Sequence, residues 1–109
     1  MRDFVWIGDC VDAMLFLHDN AGVSGVFNCG SGTARSFKDL AEAAFAAMET
    51  EPAIDYIDMP EGIRRHYQYF TEAKMDRLRE AGFDRSATSL EDGVAAYLRG
   101  YLMTDDPYR

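Results

Sequence analysis

A chain of 109 residues, 48% hydrophobic and 13% aromatic, is the size of one small domain and carries enough apolar material for a core. Its 11 basic and 19 acidic residues give a formal charge of -8, which repels nucleic acid and anionic lipid at long range and disfavours both as partners. No apolar run approaches the roughly 18 residues needed to cross a bilayer, and the first residues lack the basic and apolar regions of a signal peptide, so no membrane partner is expected.

Directly behind Met1, the run Phe4-Val5-Trp6-Ile7 reads as a strand, Gly8 as a turn and Asp9 as the cap of a helix over Cys10 to Asp19. A strand-to-helix junction with no run-in is expected to continue a domain begun upstream. The chain is therefore read as the C-terminal part of a larger protein. Val11, Met14, Leu15 and His18 recur at helical spacing, and Asn20-Ala21-Gly22 ends the helix. Gly25 to Cys29 reads as a second strand that runs into Gly30-Ser31-Gly32, where glycine permits positive φ or close backbone approach. Ser36 with Asp39 three residues on marks the start of the next helix, whose apolar stripe is Phe37, Leu40, Ala41, Ala44, Phe45 and Met48.

Pro52 breaks that pattern, and Ile54 to Asp58 alternates as a half-exposed strand would. After the loop Met59-Pro60-Glu61-Gly62, Tyr67 to Phe70 reads as extended, Thr71 as the cap of a helix to about Glu80, and Gly82 as its stop. A last helix starts near Ser89, with Asp92 in capping register and Leu90, Val94, Leu98 and Tyr101 on one face, before the tail Asp105-Asp106-Pro107. The β-α-β-α-β order favours an α/β layer with parallel pairing. Three short strands and four helices leave that layer incomplete. The chain is expected to expose apolar edges, and to self-associate or lean on a missing half.

Few residues carry a chemical signal. The Gly30 to Gly32 loop lies between a strand and a helix, the setting of a phosphate cradle, but the third glycine of G-x-G-x-x-G would fall at Arg35 and no P-loop lysine follows. A structural turn is the favoured reading, with a loop lining a ligand cleft as the other. Arg64-Arg65-His66-Tyr67 is the one dense cationic cluster in an acidic chain. It reads either as an anion site with a tyrosine beside it, or as a solvated pair answering Asp55, Asp58 or Glu61. Cys10 and Cys29 form no C-x-x-C pair and have no histidine at ligand spacing, so they read as reduced, partly buried thiols of a cytosolic protein, with no metal. His18 reads as a surface residue. Tyr-x-x-x-Lys, H-E-x-x-H and G-x-S-x-G are all missing, so no catalytic residue is assigned.

Three blocks carry a resemblance. They are Arg2-Asp3-Phe4-Val5-x-x-Gly8-Asp9-x-x-Asp12, Gly25-Val26-Phe27-Asn28-x-Gly30-Ser31-Gly32-x-x-x-Ser36-Phe37, and Tyr67-Gln68-x-Phe70-Thr71. Together they resemble the C-terminal third of an extended short-chain dehydrogenase/reductase of the NAD-dependent epimerase/dehydratase superfamily. The third block, with Ala81-Gly82-Phe83-Asp84 and Glu91-Asp92-Gly93-Val94 in order, is similar to the ADP-heptose 6-epimerases. The resemblance implies a Rossmann-type α/β fold, with residues 1–32 completing the sheet of an N-terminal domain outside this chain and 33–109 forming mostly the substrate lobe. It further implies NADP held by that outside portion, an ADP-sugar substrate, a cytoplasmic homo-oligomer, and a role in the precursors of lipopolysaccharide. Arg2 would meet the ADP phosphates and Tyr67 the nucleotide side, with Arg64 and Arg65 added from the charge argument. The family usually shows Gly-Arg before that tyrosine, where this chain has Arg65-His66. The chain by itself is expected to be inactive. The alternatives are another nucleotide-sugar epimerase or dehydratase, and a stand-alone binding module without catalysis.

Overall fold

The computed structural model describes residues 1–108. Its elements are helices α1 (Ile7–Asp19), α2 (Phe37–Ala47), α3 (Glu61–Arg64), α4 (Asp76–Glu80) and α5 (Leu90–Tyr97), and α5 runs on into a π-helical turn, Leu98–Leu102. No helix among the described residues is long and apolar enough to cross a membrane.

The expected strands are not formed. Among the described residues the one β-type pairing is an antiparallel bridge between Arg2 and Arg35, whose N–H and C=O groups exchange two hydrogen bonds of 2.8 Å. The Rossmann-type α/β layer is therefore not seen in this chain. A ladder needs a neighbouring strand in register, and the segments at 4–7, 25–29 and 54–58 pair neither with one another nor with any other segment. Their side chains show the same deficit, Val26 being 81% and Ile57 89% exposed.

The helix starts expected at Ser36 and Ser89 are present. Ser36 Oγ accepts the Asp39 N–H at 3.0 Å, and Asp39 Oδ2 accepts the Ser36 N–H at 2.9 Å, closing a capping box. Ser89 Oγ likewise accepts the Asp92 N–H at 3.1 Å. Two of the expected starts are displaced, and α3 forms where Glu61-Gly62 was expected to be loop. Helix α1 begins at Ile7 rather than Cys10, with extended Trp6 as its cap residue, and Asp9 falls inside the first turn. Its carboxylate instead accepts the Thr88 N–H at 2.7 Å and the Thr88 hydroxyl at 2.8 Å. The helix expected from Thr71 is only α4, because the residues before it are held as a connector to the N-terminal segment.

Both α2 and α4 end in the same motif. After α4, the Phe83 N–H bonds Leu78 C=O and the Gly82 N–H bonds Arg79 C=O, with Gly82 at φ 109. After α2, the Thr50 N–H bonds Phe45 C=O and the Glu49 N–H bonds Ala46 C=O, but the left-handed position is Glu49 at φ 56. The motif around Gly82 also places Phe83 on Leu78, and these two with Ala13 are the buried core, flanked by Phe16, Leu17, Phe27 and Met75. Helices α2 and α5 form a second packed unit in which Ala43 and Ala47 of α2 are buried, so the buried line of α2 is rotated by one residue from the expected stripe, and Gly93 of α5 is buried beside Trp6 and Thr88. Arg99 Nε donates to Ala47 C=O at 3.2 Å and closes the C-terminal end of α2.

Candidate functional site

The N-terminal segment is held between two others. Beyond the bridge to Arg35, the Met1 ammonium donates to Tyr69 C=O at 2.6 Å and the Thr71 N–H donates to Met1 C=O at 3.1 Å. This lays residue 2 beside the Tyr67 to Thr71 segment, some 66 residues away in sequence. The Arg2 guanidinium lies over the Tyr67 ring with its carbon 5.5 Å from the centroid, and Nη1 donates to Gln68 Oε1 at 2.9 Å. Tyr69 meets Tyr67 edge to face, with centroids 5.2 Å apart.

Arg2 makes no ion pair among the described residues. One of its five donors is engaged by a neutral amide, so the remaining N–H groups and the full charge are available to an anion. Arg35 provides the contrast. It grips Glu91 through Nη2 at 2.7 Å and Nη1 at 3.3 Å and reaches Asp39 at 3.3 Å, so its charge is neutralised within the fold. The hydrogen bond from Arg35 holds the Glu91 carboxyl below the ordinary carboxylate range.

Of the four residues singled out in the sequence, the structure joins Arg2 and Tyr67. Arg64 ends the short helix α3 and donates to Met59 C=O at 3.4 Å, and Arg65 follows it on the exposed surface. Neither forms an ion pair with Asp55, Asp58 or Glu61 among the described residues, and both stand exposed to solvent. Gln68 is the partner that charge and motif reasoning passed over, although it lay within the quoted Tyr67-Gln68 block.

The glycine turn is filled from inside. Asp3 Oδ1 accepts the Ser31 N–H at 2.8 Å and the Ser31 hydroxyl at 2.5 Å, and Oδ2 accepts the N–H groups of Gly32 at 3.0 Å and Ala73 at 2.9 Å. Burial raises the Asp3 pKa, but the Ser31 hydroxyl and the N–H groups of Ala73, Ser31 and Gly32 outweigh it and hold the carboxyl below its ordinary 3.8. A Cβ on Gly30 would stand 2.6 Å from both Asp3 Oδ2 and Ala73 Cβ, so only glycine fits there. The donors that could have cradled a phosphate thus hold a carboxylate of the chain itself, and the turn is structural. Asp3 lay within the quoted Arg2-Asp3 block but was given no role, because its partners at 31, 32 and 73 come together only in space.

The remaining candidates are ordinary. Cys10 is half-buried, Cys29 exposed, and both are free thiols. Burial and then the neighbouring Cys10 push the Cys29 thiol up. His18 is an exposed neighbour of Asp19.

Against known proteins, the chain is 56% identical over 108 residues to the ADP-L-glycero-D-manno-heptose-6-epimerase of Nitratidesulfovibrio vulgaris strain DP4, covering 99% of this chain and 33% of that protein. The protein of the same name from the Hildenborough strain is 55% identical with the same coverage. That from Fusobacterium nucleatum subsp. nucleatum is 43% identical over 114 residues, covering 99% and 34%. No family model matches. The chain is thus similar over 99% of its length to proteins of this name, and spans about a third of their length.

Proposed function

We propose that this chain is the C-terminal portion of an NADP-dependent ADP-heptose 6-epimerase and supplies part of its ADP-sugar site. The match of 99% of this chain to about a third of proteins of that name supports the activity of the parent. Within the chain, one observation carries the assignment: an arginine without a carboxylate partner lies against the face of Tyr67. A diphosphate is matched by the free N–H groups of Arg2, and the flat, partly apolar adenosine by the aromatic surface of Tyr67 and Tyr69.

The parent reaction inverts C6 of the heptose, and a nicotinamide cofactor supplies its hydride chemistry when bound. This chain offers that cofactor no cradle, since the Gly30 to Gly32 donors are taken by Asp3 and Met75. The cofactor and the acid/base groups belong to the portion outside these residues, and the chain alone is inactive. On this reading residues 1–32 side with the cofactor domain and 33–109 with the substrate lobe.

Titration with ADP, followed by NMR, tests the proposal. The Arg2 and Tyr67 signals shift, and Arg2→Ala weakens binding at least about tenfold, the loss of a charge-assisted hydrogen bond. Unchanged affinity in Arg2→Ala overturns the site. Equal binding of ADP- and UDP-sugars overturns the heptose assignment in favour of another nucleotide-sugar enzyme.

A further inference from the structure

Arg2 and Arg35, paired through their backbones, have side chains held in opposite ways. Arg35 is fixed by the carboxylates of Glu91 and Asp39, which set its direction and cancel its charge. Arg2 is fixed by groups that carry no charge. Gln68 Oε1 accepts its Nη1–H at 2.9 Å, and Tyr67 lies beneath the guanidinium with Tyr69 edge-on to that ring. Among the described residues no other arginine has both a side-chain amide and an aromatic face as its partners.

The carboxylates that flank this pairing in sequence are committed elsewhere. Asp3 takes the N–H groups of Ser31, Gly32 and Ala73 and the Ser31 hydroxyl. Glu72, next after the Thr71 that bonds Met1 C=O, accepts the Ala34 N–H at 2.8 Å. Neither turns to Arg2. The backbones on both sides are also set, residue 2 by its bridge to Arg35 and residues 69 and 71 by their bonds to Met1. What would otherwise stay loose is the long Arg2 side chain, whose rotamer freedom a ligand would have to remove on binding. Gln68 removes it beforehand. Its amide oxygen has the reach of a glutamate oxygen without the charge, so the guanidinium is oriented and keeps its full attraction for an anion.

We propose that Gln68 is the positioning residue of the ADP site: its amide oxygen holds the Arg2 guanidinium against Tyr67 with its charge intact, and the site thereby prefers a diphosphate to an uncharged nucleoside. The proposal rests on the reading of Arg2 and Tyr67 given above and adds how that site selects charge. Gln68 acts through Arg2 and not on the ligand. Gln68→Glu keeps an acceptor in the same place and makes Arg2 a second Arg35, oriented but neutralised. Gln68→Met, apolar and of similar length, leaves the charge and loses the orientation.

NMR titration of the 109-residue chain with ADP and with adenosine, in wild type, Gln68→Glu, Gln68→Met and Arg2→Ala, is the test. Gln68→Glu is expected to weaken ADP at least about tenfold, because it cancels a charge beside a diphosphate. It leaves adenosine unchanged and flattens the salt dependence of ADP binding. Gln68→Met weakens ADP about fivefold, the cost of ordering one long side chain on binding, and keeps the salt dependence. In the free chain, Overhauser contacts between the Arg2 side chain and the Tyr67 ring persist in Gln68→Glu and fade in Gln68→Met. Contacts equally strong in Gln68→Met overturn the positioning role, and so does wild-type ADP affinity in Gln68→Glu. A Gln68→Glu loss shared by adenosine is damage to the fold and overturns it too. Arg2→Ala separates the two readings. ADP affinity indifferent to Arg2→Ala removes the ADP site and this proposal with it, whereas a loss in Arg2→Ala without one in either Gln68 variant removes this proposal alone.

Discussion

The unit built on α2 and α5 and the unit built on α1 differ in how far each satisfies itself. The α2–α5 pair has few large buried side chains, but its helix starts are capped by Ser36 and Ser89, Arg99 closes its C-terminal end, and Arg35 ties Asp39 to Glu91. Among the described residues the α1 unit holds the one large side chain that is fully buried, Leu78, yet leaves the outer face of its helix, with Ile7, Val11, Met14 and Leu15, exposed and the backbone groups of Phe4, Val5 and residues 26–29 without hydrogen-bond partners. Local polar signals are answered within the chain, whereas the outer face of α1 and the backbone groups at 4–5 and 26–29 find no partner among the described residues.

Substitution can break or sharpen this contrast. The largest effect belongs to Leu78→Ala, which empties the centre of the α1 unit and costs about 3 kcal/mol in urea denaturation. Amide exchange should then accelerate in α1 before it does in α2 and α5, and equal acceleration in both would merge the two units into one. Next is Asp3→Ala, which strands the N–H groups of Ser31, Gly32 and Ala73 and costs about 2 kcal/mol.

The Asp3 contribution carries a pH signature. Because the folded carboxyl titrates below its ordinary 3.8, its stabilisation is complete above about pH 4 and is lost as the pH falls through and below that value. Wild type minus Asp3→Ala, measured at pH 7 and again near pH 3, should shrink towards zero.

Smaller changes address the α2–α5 pair. Ser36→Ala removes one half of the capping box and costs about 1 kcal/mol, read as a lower midpoint of thermal unfolding. Glu49→Gly works in the opposite direction. It relieves a left-handed residue in the position that Gly82 fills after α4, and stabilises by about 0.5–1 kcal/mol. The smallest effect is Met14→Glu in the free chain, within about 0.5 kcal/mol of wild type, because a side chain already in water loses no burial. A large loss there would mean that the outer face of α1 is covered in the free chain.

How much could be read from the sequence follows from the range of each interaction. Ser36 with Asp39, Ser89 with Asp92, and Gly82 after α4 are contacts within four residues, and each was legible. Arg2 and Tyr67 were singled out separately, one through family resemblance alone and the other through resemblance and charge. Only the pairing of the first residues with 69–71 brings them together. Asp9 was misplaced as a cap because Thr88, its partner, lies 79 residues away. The expected strands failed for a related reason. Alternating and β-branched residues state a preference for extended backbone, but a strand exists only where a neighbour accepts its hydrogen bonds.

The sequence by itself determined where α2 and α5 begin, where α4 stops, the acidic balance and the similarity to the epimerases, because those depend on neighbouring residues or on letters in order. Tertiary structure alone decided that Asp3 fills the glycine turn, that Arg2 rests on Tyr67 while Arg35 is neutralised, and that α1 keeps a bare apolar face. The physical reason is that a hydrogen bond or an apolar contact between distant residues takes its partner from the path of the chain through space, and sequence spacing carries no record of that path.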